Sequence, residues 1–464
     1  MSTLLPNRRD VLKWGSTAMM AACIGETLAP LKVKAAGAAA NPRGTARNCI
    51  VIMMGGAMSQ ADCWDFKETQ YTPKDLDVQK FTSDIWLSKT LFPRASEYVD
   101  KIALVRSMRA NEMIHFIGQY HTQTGRALNV AVAREIPAMG SLIAYELENR
   151  RRESDTLPTY MSTYMAQCNN GAIGCGFLPT RTTGLDLDPT SAFETFGAGS
   201  SSSSEVLERR WNLLQEYEKI ARADTFAMGK TASDYETFYA DARRIAADPR
   251  WSSLFKITQQ ERDRYGNDEY GLGLILARNI LKADAGAHFV YVNDGGRWDQ
   301  HSFIFDRTKR VNHYVNCERW DKGFASLIAD LSSLPGSVAG KTLLDETLIM
   351  ATSEFGRTPA MNAVAGRDHY RQVYTTLFAG GGVKGGRVIG KTNHDASEVV
   401  QTRWKHKEQP FMDNCTATIY SALGIDWKKT ISNTPSGRGY EYVQTAPIGG
   451  TQFISNDEIA ELFE

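Results

Sequence analysis

The sequence predicts an α/β fold in which a parallel sheet is covered by helices on both faces. Five short apolar runs carry this prediction, and three of them lead into glycines. Helical patterns such as those at 272–284 and 318–334 lie between the runs. Strands that alternate with helices are typical of parallel sheets, and the composition (42% hydrophobic, 23% charged) is that of an ordinary globular protein.

Each apolar run is interpreted as a strand because it is short, continuous and apolar, as strands buried on both faces are. In chain order the runs are 48–56, 102–105, 287–296, 347–352 and 374–379. The stretch from about 190 to 270 differs, because it contains a serine run at 200–204 and then becomes charged and helical. We interpret it as a helical insertion in a single domain that spans residues 41–464.

Residues 1–40 are predicted to be a targeting segment outside the fold. Arg8 and Arg9 form a twin-arginine pattern, a weakly apolar stretch follows at 14–24, and small residues at 36–40 offer cleavage sites. The apolar stretch is too short and too polar to span a bilayer comfortably. We therefore expect export by the twin-arginine machinery to the periplasm or the extracellular space, without a stable membrane span.

The charge balance and the cysteines exclude several classes of protein. Lys+Arg and Asp+Glu both number 53, so the net charge of zero argues against nucleic-acid binding by phosphate neutralisation. No cysteine belongs to a CxxC pair, which excludes zinc-ribbon and thioredoxin motifs. Cys168 and Cys175 could form a disulfide in an oxidising compartment or could be buried free thiols.

Acidic and imidazole side chains gather where two of the predicted strands end, at Asp299, His301, Glu354, Asp368 and His369. Ligands bind beyond the carboxyl ends of parallel strands, so these residues should share one region. A carboxylate with an imidazole suits zinc, manganese or iron. The grouping favours a metal site over isolated salt bridges and loop caps.

Three further residues have alternative interpretations. Arg357 could pair with Glu354 three residues before it, or could hold a phosphate or sulfate in a bidentate way. His115 and His121 should lie in one helix, but a spacing of six residues is poor for one helix face, so only one of them should point to the site.

Motifs of serine hydrolases, P-loops and dinucleotide-binding folds are absent from the sequence.

Several ordered segments resemble domain-of-unknown-function family 1501. They are MMGGAMSQADCWDF at 53–66, LVRSMRANEMIHF at 104–116, TQTGR at 122–126, LPT at 178–180, DGGRWDQH at 294–301, SEFGRTP at 353–359, GRDHY at 366–370 and AGGGVKGGRVIG at 379–390. That family is similar to the alkaline phosphatase and sulfatase superfamily. The resemblance implies a three-layer α/β/α fold whose central sheet is mixed and mostly parallel, with one or two metals at one edge.

The resemblance also implies roles for single residues. The segment 353–356 resembles the superfamily's Ser-Asp-His-Gly, so Glu354 would keep a carboxylate ligand while Phe355 loses an imidazole. Asp299 and His301 resemble the upstream metal pair. The downstream ligand would then come from Asp368 or His369.

Two departures from the superfamily pattern concern the first strand and the nucleophile. The glycines after the first strand are followed by Ala57 instead of the usual Asp, so a carboxylate such as Asp62 would have to reach back. Sulfatases carry a modified Cys or Ser nine residues before a Thr-Gly-Arg, and His115 holds that position before 124–126, where an imidazole could be a nucleophile, a general base or a metal ligand. Ser59 is a weaker nucleophile candidate.

We therefore expect an exported metal-dependent hydrolase of phosphate, sulfate or related anionic esters, with Zn, Mn or Ca as its divalent metal. The expected metal ligands are Asp299, His301, Glu354, Asp368, His369 and Asp62, and the expected catalytic residues are His115, Arg357 and Ser59. The alternative is a non-catalytic exported protein of the same fold that binds a surface polymer or an assembly partner. A structural Ca²⁺ site is compatible with either.

Overall fold

The structure is a computed structural model that describes residues 31–35, 39–197, 204–223, 229–445, 447–448, 452–453 and 455–464. The predicted twin-arginine pair lies outside the described residues, as does most of the serine run. Among the helices that the structure describes, none is both long enough and apolar enough to cross a membrane.

A central eight-stranded sheet organises the chain. Its strands are β1 (Asn48–Met53), β2 (Ile102–Met108), β3 (Tyr160–Thr163), β4 (Leu185–Leu187), β5 (Phe289–Asn293), β6 (Thr347–Thr352), β7 (Tyr374–Ala379) and β8 (Arg387–Ile389). They are ordered β8-β2-β7-β6-β1-β5-β3-β4. All five predicted strands are present. The sequence analysis missed β3, β4 and β8, which are only three or four residues long.

The sheet is mixed and mostly parallel, as the family resemblance implied. Only β7 is antiparallel to its neighbours β2 and β6, and the other described pairs within the sheet are parallel. The alternation of strands and helices alone predicted a fully parallel sheet, and that prediction is wrong for β7. The physical reason is the connection from β6 to β7, which contains no helix in the structure, whereas a parallel neighbour needs a crossover.

Helices cover both faces of the sheet. They are α1 (His115–Thr124), α2 (Met139–Leu147), α3 (Pro189–Gly197), α4 (Ser204–Ala223), α5 (Gly229–Ala247), α6 (Pro249–Ser253), α7 (Gln259–Tyr265), α8 (Glu269–Ala283), α9 (His313–Ser333) and α10 (Met412–Ala422). In β1, Ile50 and Ile52 pack into a core with α8 and α9, whereas Val51 packs into a second core with α2 and α10. This alternation produces three layers and confirms the predicted fold class.

Smaller strand pairs lie outside the sheet. They are Val78–Lys80 with Trp86–Ser88, Lys391–Thr392 with Val399–Gln401, Pro447–Ile448 with Gln452–Phe453, Gly356–Arg357 with His369–Tyr370, and the three strands Val33–Ala35, Lys429–Ile431 and Tyr440–Glu441. The segment from about 190 to 270, predicted to be a helical insertion, contains α3 to α7 and the start of α8.

Cys168 and Cys175 were predicted to be either a disulfide or two buried free thiols. In the structure both are buried free thiols.

His288, just before β5, makes the fold sensitive to acid. Its Nδ1 donates to Oδ1 of Asn48 at 2.9 Å, and burial lowers the pKa of His288 from 6.5 to about 4. The unfolded chain therefore binds a proton near pH 6.5 that the folded chain does not bind until about pH 4, so the free energy of unfolding should fall across this window.

We expect His288→Asn to reduce that loss of stability. Urea unfolding at a series of pH values measures it, with His394→Asn at an exposed position as the matched control. An unchanged pH dependence in His288→Asn would contradict the assignment.

Candidate metal centre

Three adjacent parallel strands, β5, β1 and β6, end at the same edge of the sheet. The segment after β5 carries Asp299 and His301, and the segment after β6 carries Glu354 and Arg357. Residues of this kind were expected beyond the strand ends, and Glu354 lies there as predicted. The parallel order of the strands therefore brings together residues that are more than fifty positions apart in the chain.

The other two contributions come from β2 and β7. Because β2 and β6 are both antiparallel to β7, β2 also ends at this edge, and the helix that follows it begins with His115. The antiparallel β7 begins at the same edge, so the residues before it arrive there too. His369 pairs with Arg357 across the short strands Gly356–Arg357 and His369–Tyr370.

Two glycines allow these segments to approach closely. Gly56, at φ +97°, lies against the backbone nitrogen of Asp299, and a Cβ there would collide with it. Gly118 in α1 faces Glu354, and a Cβ would lie 2.7 Å from the Cβ of that residue. Side chains at either position would push the site apart.

Each of the three imidazoles has its Nδ1 at a hydrogen-bond acceptor. Nδ1 of His115 lies 2.8 Å from Oε1 of Glu354, Nδ1 of His301 lies 3.0 Å from Oδ1 of Asp368, and Nδ1 of His369 lies 2.6 Å from the carbonyl oxygen of Met113. A neutral imidazole that donates from Nδ1 presents a lone pair at Nε2. In their neutral forms all three rings therefore direct the Nε2 lone pair into the cluster, where the Nε2 of His301 also lies 3.3 Å from Nη1 of Arg357.

The three Nε2 atoms converge on one carboxylate oxygen. Oδ1 of Asp299 lies 3.2 Å from Nε2 of His115, 3.0 Å from that of His301 and 3.4 Å from that of His369. The Nε2 atoms of His301 and His369 face each other at 2.9 Å. Acceptor atoms brought together in this way repel one another unless a proton or a metal cation lies among them.

Two buried atoms support the same conclusion. Among the described residues, Nε2 of His115 and Oε2 of Glu354 are buried without a hydrogen-bond partner. The ligand atoms of His115, Asp299 and His369 all lie within 4.8 Å of one another. Nitrogen and carboxylate donors at this spacing fit a transition-metal ion.

The electrostatics of the cluster favour positive charge at its centre. Burial opposes ionisation of Asp299, but the close contacts with His115 and His369 and the hydrogen bond from Arg357 hold the pKa of this carboxyl well below its ordinary value. Burial also opposes charge on His115, yet the neighbouring carboxylates of Asp299 and Glu354 raise the pKa of His115 to about 9. A metal ion and a proton would therefore compete for Nε2 of His115.

Arg357 contacts the cluster through Asp299, and its side chain is only 1% exposed. Its Nε donates to the carbonyl of Ala57 at 3.0 Å, and its Nη1 donates to the carbonyl of Arg367 at 3.0 Å. Its Nη2 donates to the carbonyl of Gly56 and, at 2.6 Å, to Oδ1 of Asp299. The guanidinium, expected to hold an anionic substrate, is thus already engaged by the protein.

Glu354 and Asp368 were expected to bind metal directly. The structure places both on the Nδ1 side of an imidazole, behind His115 and His301 respectively. Glu354 also accepts from the backbone nitrogen of Gly56 at 2.9 Å. Although burial opposes its ionisation, these bonds hold the pKa of Glu354 below its ordinary value.

Asp62 and Ser59 lie in a neighbouring buried network instead of the cluster. Arg367 donates to both carboxylate oxygens of Asp62, at 2.6 Å and 2.8 Å, and Ser59 Oγ donates to the same carboxylate at 2.6 Å. His121 bonds to Asp413 at 2.8 Å, away from the cluster. As predicted, only one of the two histidines of α1 points to the site.

Two residues that support the site were not assigned this role from the sequence. Phe355, expected to be a lost ligand, is fully buried and packs its ring 4.9 Å from that of His115 and 4.7 Å from that of His369. Gln119 donates to Oε1 of Glu354 at 3.2 Å. Its spacing of four residues from His115 on α1 was the available signal.

A family profile described as a protein of unknown function (DUF1501) matches residues 46–447 of the 464-residue chain. The chain belongs to the DUF1501 family. Among curated proteins, none matches this DUF1501 protein.

Solved structures to which it is similar include members of the alkaline phosphatase superfamily. A protein of that superfamily from Vibrio parahaemolyticus is 10% identical, with 90% of this chain and 76% of that one covered and a TM-score of 0.36. The C-terminal periplasmic domain of EcEptC from Escherichia coli, in complex with Zn, is 10% identical (94% and 99% covered, TM-score 0.37). The lipoteichoic acid synthase LtaP from Listeria monocytogenes is 8% identical (89% and 78% covered, TM-score 0.37). Likeness this distant transfers no activity to the DUF1501 protein.

The contact between Gly118 and Glu354 gives a test of the site's packing. Helix propensity alone predicts that Gly118→Ala stabilises α1 by about 1 kcal/mol. The new Cβ would instead lie 2.7 Å from the Cβ and 3.3 Å from the Cγ of Glu354, so we expect a loss of about 1–3 kcal/mol.

Denaturant unfolding measures the change. Gly296→Ala is the matched control, because a Cβ there meets nothing within 4 Å. A Gly118→Ala variant at least as stable as the wild type would contradict the packing described here.

Proposed function

We propose that this DUF1501 protein is an exported metal-dependent hydrolase of phosphate or sulfate esters that uses one divalent cation. The single observation that carries the proposal is the convergence of three oriented imidazole Nε2 atoms on Oδ1 of Asp299. The proposed ligands are therefore His115, Asp299, His301 and His369. Three nitrogens and one carboxylate oxygen suit Zn²⁺ or Mn²⁺ better than Ca²⁺, which prefers an all-oxygen set.

In this proposal Glu354 and Asp368 orient ligands instead of binding the metal. Each accepts the Nδ1–H of a ligand histidine, at 2.8 Å and 3.0 Å. Carboxylates in this position fix the tautomer and orientation of the ring and make its other nitrogen a better ligand. Glu354 is more deeply placed, because its side chain is fully buried whereas that of Asp368 is 55% exposed.

Arg357 is proposed to supply the second positive charge that a second metal would otherwise provide. Its guanidinium lies against Oδ1 of Asp299 and against the carbonyls of Gly56 and Ala57, just after β1. That segment lacks the carboxylate that the superfamily carries there. A buried, permanently charged group in this position supports one metal rather than two.

The bound metal would supply Lewis-acid polarisation of an ester oxygen. His301 and Asp368 mark the open side of the centre, with side chains 43% and 55% exposed, so an ester would approach there. Neither predicted nucleophile is placed for attack. His115 has Glu354 at Nδ1 and the cluster at Nε2, and the hydroxyl of Ser59 donates to Asp62. This arrangement supports attack by water.

One observation favours a second candidate, a non-catalytic protein in which the metal holds a binding surface together. The donors of Arg357 are engaged by Ala57, Arg367, Gly56 and Asp299, so the guanidinium is not a free clamp for an anion. Metal binding without ester hydrolysis would support this candidate.

Substitution of one ligand and one orienting carboxylate tests the assignment. We expect Asp299→Ala to abolish metal binding at this centre, because it removes the oxygen on which the imidazoles converge. We expect Asp368→Asn to keep the metal but to lower its affinity about 10- to 100-fold, as loss of an orienting partner does. Asp263→Asn, at an exposed position in α7, is the matched control.

Elemental analysis after dialysis, thermal unfolding with added Zn²⁺ or Mn²⁺, and hydrolysis of aryl phosphate and aryl sulfate esters are the measurements. A wild-type protein that holds neither metal, and whose melting temperature neither metal raises, would exclude the metal centre.

Export rests on the twin-arginine pattern of the sequence alone. We expect replacement of both Arg8 and Arg9 by Lys to keep the protein in the cytoplasm. Fractionation of expressing cells measures its location, with Arg43→Lys, outside the predicted signal, as the control. Equal export of the doubly substituted protein would contradict this part of the proposal.

A further inference from the structure

A second group of metal-ligating side chains lies in the core, separate from the centre described above. It consists of Cys63, His313 and Cys317, whose ligand atoms lie within 4.8 Å of one another. Nε2 of His313 is 3.3 Å from Sγ of Cys63. The three residues are at most 1% exposed. Buried thiols are common in protein cores, but here two of them share an enclosed space with an imidazole, so three metal-ligating groups lie together.

Two local features of the chain bring the three side chains together. His313 and Cys317 are four residues apart in the first turns of α9, so they lie on the same face of the helix. The side chain of Asn312 caps this helix by accepting from the backbone nitrogen of Val315. Cys63 comes from the segment after β1, which packs against this end of the helix.

The tautomer of His313 suits a ligand. Its Nδ1 lies 3.1 Å from Oε1 of Gln300, an amide oxygen that can only accept, so Nδ1 carries the proton. Nε2 then presents its lone pair to Cys63. This is the arrangement of the other candidate ligands, in which an outer partner fixes the ring and leaves Nε2 free.

We infer that Cys63, His313 and Cys317 form a zinc site. Sulfur and imidazole ligands select Zn²⁺ or Cu⁺ among biological metals. Two thiolates and one neutral imidazole carry a charge of −2, which Zn²⁺ cancels, whereas Cu⁺ would leave a net negative charge in the core. The three side chains supply three of the four positions of tetrahedral zinc, which leaves one for a water molecule.

The site would hold two segments of the candidate metal centre in place. The segment after β1 that carries Cys63 also carries Gln60, which bonds to the backbone of Arg357 through both ends of its amide, at 2.8 Å and 2.9 Å. Gln300, the partner of His313, lies between Asp299 and His301 in the chain. A zinc ion at Cys63, His313 and Cys317 would thus link α9 directly to the segment after β1. Through the contact of His313 with Gln300, it would also link α9 to the segment that carries Asp299 and His301.

Cobalt substitution tests the inference without relying on activity. Protein stripped of metal and loaded with Co²⁺ is expected to show the near-ultraviolet charge-transfer absorption of cobalt–thiolate bonds. Cys317→Ser should lose most of this absorption, whereas Cys415→Ser, the matched change of a buried thiol elsewhere, should keep it. Asp299→Ala should also keep it, so failure of the proposed catalytic centre and failure of this site are distinguishable.

Wild-type protein provides a measurement that does not depend on whether Cys317→Ser folds. X-ray absorption at the zinc edge of zinc-loaded wild type should show a sulfur shell, with two scatterers per zinc if this site alone is filled and one on average if both sites are filled. Three outcomes would overturn the inference: a zinc shell without sulfur, a Co²⁺ spectrum without thiolate absorption, or a disulfide between Cys63 and Cys317 found by mass spectrometry of the native protein.

Discussion

The carboxylate of Asp299 is the point on which the rest of the site depends. Its Oδ1 lies 2.6 Å from the Arg357 guanidinium and 3.0 Å to 3.4 Å from three imidazole nitrogens. Each of these groups comes from a segment that reaches the same edge of the sheet. Removing the carboxylate would leave the buried Arg357 guanidinium without the negative charge of Asp299 beside it.

One reversed strand makes this convergence possible. If β7 ran parallel to β6, the residues before it would lie at the opposite edge of the sheet, and His369 could not reach Asp299. The helix-free connection between β6 and β7 instead folds back as the short pair Gly356–Arg357 with His369–Tyr370. Arg357 and His369 pair across these two short strands, so both reach Asp299. A single connection therefore provides both the guanidinium and one proposed ligand.

The segment that follows β1 connects the two candidate metal sites. Its backbone carbonyls at Gly56 and Ala57 hold Arg357, and Cys63 reaches the core cluster with His313. Between them, Asp62 forms a buried bidentate pair with Arg367, whose carbonyl accepts from Arg357. Ion pairs and hydrogen bonds of this segment thus lie next to both clusters.

The sequence by itself determined the long strands and the segments that carry Asp299, His301, Glu354 and His369, because apolar runs and strand-end polarity are local signals. It could not separate ligands from orienting groups, since that depends on which ring nitrogen faces the cluster. The spacing of His313 and Cys317 was visible, but their partner Cys63 is 250 residues from His313 in the chain. Only tertiary structure decides such contacts, because they arise from the order and direction of strands that no local pattern encodes.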